Sequence, residues 1–203
     1  MLKLSRVFIL IGITIIAPVK IYPQHSVSIY EVRWAVFHPF AAIKIKCQLP
    51  KAMLVYKEVR GARLLDSLES GGKLDAFRHT YAMAYLSRNI RVRKLRKLGL
   101  AHERGNKKQF KKHQLEEGER ADSLACEMDI RNNELGFLLG SAHKTLNDEQ
   151  LKVLTLNAIQ EGKAWYLKRN SYFVYVTCLG EPINLSLYKQ KWYVPKCLIK
   201  TNE

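Results

Sequence analysis

The stretch "MDIRNNELG", residues 128–136, decides how this chain folds. It lies inside a helical pattern over residues 122–139, for which Asp122 or Ser123 is the N-cap candidate. Asp and Asn are mediocre helix formers, because their side chains compete for backbone hydrogen bonds. Asp129, Asn132 and Asn133 in mid-helix therefore mark either a site or buried polar contacts between helices. Steps of three and four from Asp129 reach Ala125, Asn132, Asn133, Gly136 and Gly140. Such a seam of small and polar residues admits a second helix at close range and turns Asp129 and Asn133 toward it.

The rest of the chain supplies helices for that seam to meet. Residues 30–48 are apolar and aromatic, and Pro39 either ends a first helical piece or opens a second. Residues 51–69 follow as a helix stopped by "SGG", 70–72. Residues 74–98 carry the longest pattern, with Ala82, Met83, Leu86, Ile90, Leu95 and Leu98 at helical spacing and Gly99 as its stop. A helix over 148–161 has a marked start: Asn147 caps, Gln150 completes a capping box, and Leu146 with Leu151 forms a staple. Beyond Gly162 the period changes, and 172–177, 184–188 and 192–195 read as short strands. The expectation is a mainly α protein: an irregular helical bundle over 25–162 with a small antiparallel β appendage over 163–203.

"DAFRH", residues 75–79, is the best partner for the seam. Asp75 and His79 share one helical face, where a carboxylate fixes an imidazole's tautomer as it does behind metal-bound histidines. Arg78 beside them suits an anion. His102 and Glu103 in "AHERGN" form a third polar island. Two imidazoles and a carboxylate suit a divalent metal, zinc first. His79, His102 and Asp129 are the expected ligands, with Glu103, Arg78 and Asn133 in catalytic roles and Asp75, Asn132 and Glu134 supporting them. The metal would generate a bound hydroxide. Each island also has a bland reading: Asp75 at a helix N-terminus, His79 as a hydrogen-bonded core histidine, Asp129 and Asn133 as glue between helices. No Gly-rich phosphate loop and no G-x-S-x-G occurs.

The net charge is +16, from 34 Lys and Arg against 18 Asp and Glu. It draws anionic small molecules, lipid headgroups or polymers. Within 88–113 the cations are spread around the helix and Phe110 is the sole aromatic residue, which disfavours sequence-specific nucleic-acid reading. Lys3 and Arg6 precede the apolar run "VFILIGITIIAPV", 7–19, which is short for a span and right for a signal peptide over 1–24. The expected location is therefore periplasmic or secreted, with anchoring by residues 7–19 as the alternative. Among Cys47, Cys126, Cys178 and Cys197, the last two are the favoured disulfide, and four free thiols are the competing reading.

The blocks "DAFRH", "AHE" and "MDIRNNELG" resemble, in order and spacing, an uncharacterised bacterial domain family, most clearly over residues 71–140. The resemblance implies a helical fold, often in exported proteins, and names no reaction. It points to Asp75, Arg78, His79, His102, Glu103, Asp129, Asn132, Asn133 and Glu134, and departs from this chain at Ala82, where the family often has an aromatic residue. Two functions follow as expectations: a metal-dependent hydrolase acting on an anionic, phosphoester-like substrate, or a non-catalytic cationic envelope protein whose polar islands are structural.

Overall fold

The computed structural model describes residues 27–112 and 119–203. The expected signal segment, residues 1–24, and the run 7–19 lie outside the described residues. Six α-helices are followed by a two-stranded sheet: α1 (Ile29–Phe37), α2 (Pro39–Gly61), α3 (Lys73–Ser87), α4 (Val92–Lys111), α5 (Ser123–Ala142), α6 (Asp148–Gln160), β1 (Trp165–Leu167) and β2 (Leu198–Lys200). The protein is mainly α with a small antiparallel appendage. None of the described helices is long and apolar enough to cross a membrane.

Pro39 opens α2 at its first turn, where its missing N–H costs nothing. The helices expected over 30–48 and 51–69 divide differently. The break falls at His38, and α2 runs unbroken past Pro50 to Gly61. The expected helix 74–98 is two helices. Arg91 is extended (φ −58°, ψ 127°), and the turn before it drives Ile90 into the core beside Leu86, Leu95 and Phe137. The apolar spacing continues across that turn, so periodicity alone did not reveal it. Gly99 is no stop; it lies inside α4, and a Cβ there would sit 3.3 Å from Asn133 Nδ2.

α3 is the central helix and packs most extensively on α5. Its other face joins α2 and α6 through Tyr56, Val59, Leu74, Phe77, Tyr81, Leu151 and Ile159. α5 starts where Asp122 accepts from Leu124 N (2.9 Å) and Ala125 N (3.1 Å), while its carboxylate also meets Lys196 (2.7 Å). α6 has the expected capping box between Asn147 and Gln150.

The appendage differs from its expected strands. β1 and β2 pair Trp165 with Lys200 and Leu167 with Leu198. Residues 172–177 contribute isolated bridges, and Leu185–Tyr188 is a 3-10 turn capped by Asn184. Asn170 Oδ1 accepts from Tyr172 N and Val174 N, which bends the chain where a ladder was expected. Cys178 and Cys197 are disulfide-bonded; Cys47 and Cys126 are free. Met128, Leu167, Tyr175, Ile183 and Val194 bury the appendage against α5.

Candidate functional site

α3 begins in a loop built to hold carboxylates. Asp66 accepts from Lys73 N (2.7 Å) and Leu74 N (3.0 Å), satisfying two of the free N–H groups of the first turn. Gly71 takes a left-handed φ of +73° and directs its N–H at Asp75 Oδ2, 2.7 Å away. Asp75 is thereby fixed in the first turn of α3, buried, with Oδ1 turned toward α5. One turn on, His79 Nε2 lies 3.5 Å from Asp75 Oδ1 and 3.3 Å from Asp129 Oδ1, across the α3–α5 seam. On the far side of the ring, Nδ1 lies 3.4 Å from Asn133 Oδ1. An amide oxygen can only accept, so this contact favours the tautomer with the proton on Nδ1 and the Nε2 lone pair facing the carboxylates.

Arg78 completes the cluster. Its Nη2 lies 2.7 Å from Asp75 Oδ1 and 3.2 Å from His79 Nε2. Burial by itself would weaken the guanidinium's hold on its proton; the charges of Asp75 and Asp129 more than reverse that, and the net shift is upward. Among the described residues, Asp75, His79 and Asp129 form a group able to hold a metal, one donor atom from each lying within 4.8 Å of the others. Two oxygens and one imidazole nitrogen suit zinc or manganese, and the fit is chemically reasonable.

The other expected residues are placed elsewhere. Asn132 is fully buried and exchanges two hydrogen bonds of 2.9 Å with the backbone of Trp165. Glu134 is half-exposed and accepts from Nε and Nη2 of Arg96, at 2.5 and 2.6 Å. Glu103 is buried on the face of α4 that carries Gly99, one turn along, and accepts from Asn106 Nδ2 (3.2 Å). His102 is not in the Asp75–His79–Asp129 group; its Nδ1 lies 3.2 Å from Glu31 Oε1 on α1. Sequence reading treated Asp75 as a support, although its four-residue spacing from His79 already placed both on one face. It missed Asp66, and also Glu119, which accepts from Arg169 (2.8 Å) and the Tyr175 hydroxyl (2.6 Å) and ties the appendage to Ser70 just before Gly71. These contacts join residues about 50 apart in sequence, a distance at which no local pattern operates.

The Glu31–His102 pair docks α1 onto α4. Ser28 N donates to Glu31 Oε2 (2.8 Å), and Gly105 makes room, since a Cβ there would lie 2.7 Å from Ser28 Cβ. Burial would raise the Glu31 carboxyl. The hydrogen bond and charge of His102, with the Ser28 backbone N–H, outweigh it and lower the pKa from 4.5 to about 2. A carboxyl depressed on folding adds stability that is full above its unfolded value and is lost as pH falls through the folded one. Urea unfolding should therefore lose about 2–3 kcal/mol between pH 4.5 and 2 through this group. Glu31→Gln should flatten that part of the pH profile; equal acid sensitivity in both chains would rule the pair out as its source.

The sequence profile of a family described as a domain of unknown function (DUF6973) matches residues 32–163. No curated protein and no solved structure matches the chain.

Proposed function

The chain belongs to the DUF6973 family of domains of unknown function, and from the chemistry of its cluster we propose an exported hydrolase that uses a divalent metal on an anionic, phosphoester-like substrate. The observation that carries this reading is the meeting of Asp75, His79 and Asp129 donor atoms within 4.8 Å. These three would hold the metal, which supplies a water of lowered pKa and a Lewis acid when bound. The chain's own residues do the rest. Asn133 holds the imidazole so that Nε2 faces the carboxylates. Gly71 N–H holds Asp75 from behind. Arg78 brings a permanent positive charge to the cluster and draws the substrate's anion. Support for export comes from Lys3, Arg6 and the apolar run 7–19.

One observation favours a second reading, a metal-free structural network in a cationic envelope protein. Both Asp75 oxygens already accept protein hydrogen bonds at 2.7 Å, one of them from Arg78. A guanidinium and a divalent cation compete for the same carboxylate.

Metal content and melting separate the two. The hydrolase reading expects about one zinc or manganese per chain and a lower Tm with chelator; at metal a hundredfold above Kd the stabilisation is about 2.7 kcal/mol. His79→Ala and Asp129→Asn should abolish both effects and the hydrolysis of a phosphodiester probe. A chain that holds no metal, and whose melting ignores zinc, manganese and chelator alike, belongs to the second reading.

A further inference from the structure

α2 buries one face against α3, through Ala52, Tyr56 and Val59, and leaves another apolar face uncovered. Phe40, Ile43, Cys47, Pro50 and Leu54 recur at alternating steps of three and four along it, the spacing of a single helical stripe. Phe40 is 80 % exposed, Ile43 60 % and Leu54 64 %. An outward stripe of this kind is not ordinary surface; on a soluble face these positions carry charge. The helical period places Lys44 and Lys51 along one edge of the stripe and Lys46 along the other, all exposed. α1, upstream of Pro39, carries exposed apolar residues of its own: Ile29, Val32, Val36 and Phe37.

We infer that this face of α2 lies in the interface of an anionic membrane, its apolar stripe among the upper acyl chains and its lysines at the headgroups. A bilayer interface offers what the face asks for, an apolar layer flanked on both sides by negative charge. Lysine stems bury along apolar surface while the ammonium stays at the polar level. A second copy is a poorer occupant, because symmetric pairing of the stripe would face lysines with lysines between chains of charge +16. The chain's own apolar run, 7–19, contains no acid to meet them. The inference is independent of the hydrolase reading.

Cys47 gives a probe at the centre of the stripe. It is exposed, Cys126 is buried, and the remaining cysteines are bonded to each other, so a thiol-reactive, environment-sensitive fluorophore attaches selectively in the full chain. With vesicles of phosphatidylcholine and phosphatidylglycerol, the emission should shift to the blue and be quenched by lipids carrying a nitroxide near the headgroup. Phosphatidylcholine alone should give neither effect. Phe40→Asp with Ile43→Asp should abolish the shift without altering helicity or Tm, since both side chains are exposed. Changing Lys44, Lys46 and Lys51 together to Gln should weaken partitioning roughly a hundredfold. The inference is overturned if the chain does not bind the vesicles, if it co-sediments with them while the probe stays in water, or if the probe shifts with protein concentration in the absence of lipid, which would assign the face to a second copy.

Discussion

Gly140→Ala is expected to destabilise the fold by about 2–3 kcal/mol, although alanine is the better helix former by up to about 1 kcal/mol. The sign reverses because of what faces this position. A Cβ at Gly140 would lie 2.1 Å from the Ala84 carbonyl oxygen and 2.2 Å from Ser87 Oγ. The first is backbone and has no rotamer to escape into. Gly136, one turn earlier, meets the Thr80 carbonyl oxygen at 2.4 Å in the same way. Either substitution must push α5 off α3, and the His79–Asp129 distance of 3.3 Å spans that same interface. Loss of stability should therefore come with loss of whatever the cluster binds. Gly61 is the control. No atom lies within 4 Å of a Cβ there, so Gly61→Ala should be neutral or slightly stabilising. Urea unfolding of the two variants should move in opposite directions; matching shifts would mean that α3 and α5 do not touch as described.

Asn132→Ala is expected to cost more, about 3–4 kcal/mol, because it takes the partner from two backbone groups of Trp165 at once and empties a fully buried position. Ala164 and Lys168 carry ladder bonds on the β2 side, to Thr201 and Cys197. The alternation of an antiparallel ladder therefore turns Trp165 N–H and C=O the other way. There Asn132 meets them both, donating from Nδ2 to Trp165 O and accepting at Oδ1 from Trp165 N, each at 2.9 Å. The side chain serves as the missing neighbouring strand, and its amide is the only short group that offers one donor and one acceptor in that geometry. Asn132→Asp keeps the shape but loses the donor and buries a charge, so it should be no better than alanine. Hydrogen exchange at the Trp165 amide gives a local readout: protection there should collapse in both variants before global stability does. Retained protection would show that Asn132 is not its partner.

The polar residues of 128–136 thus divide by role along one helix. Asp129 and Asn133 lie on either side of the His79 ring, Asp129 at Nε2 and Asn133 at Nδ1. Asn132 points to the appendage and holds it in place. Glu134 stays on the surface with Arg96. The helix tolerates them because every one has a partner that compensates for its weak propensity.

What the residues by themselves determined is local or periodic. The helical class, the start of α6 at Asn147, a cap for α5 at Asp122 or Ser123 and the small-residue seam at Gly136 and Gly140 follow from spacing and from side-chain chemistry within a few residues. The shared face of Asp75 and His79 follows in the same way. What only the tertiary structure decided is which islands meet. His102 and His79 carry the same ligand chemistry, yet one pairs with Glu31 on α1 and the other with Asp129 on α5. The turn at Arg91 made that choice by ending α3 early and giving His102 a helix of its own. It leaves the apolar period unbroken, and a helix's direction in space is set by the packing of its whole length, not by the residues at its bend.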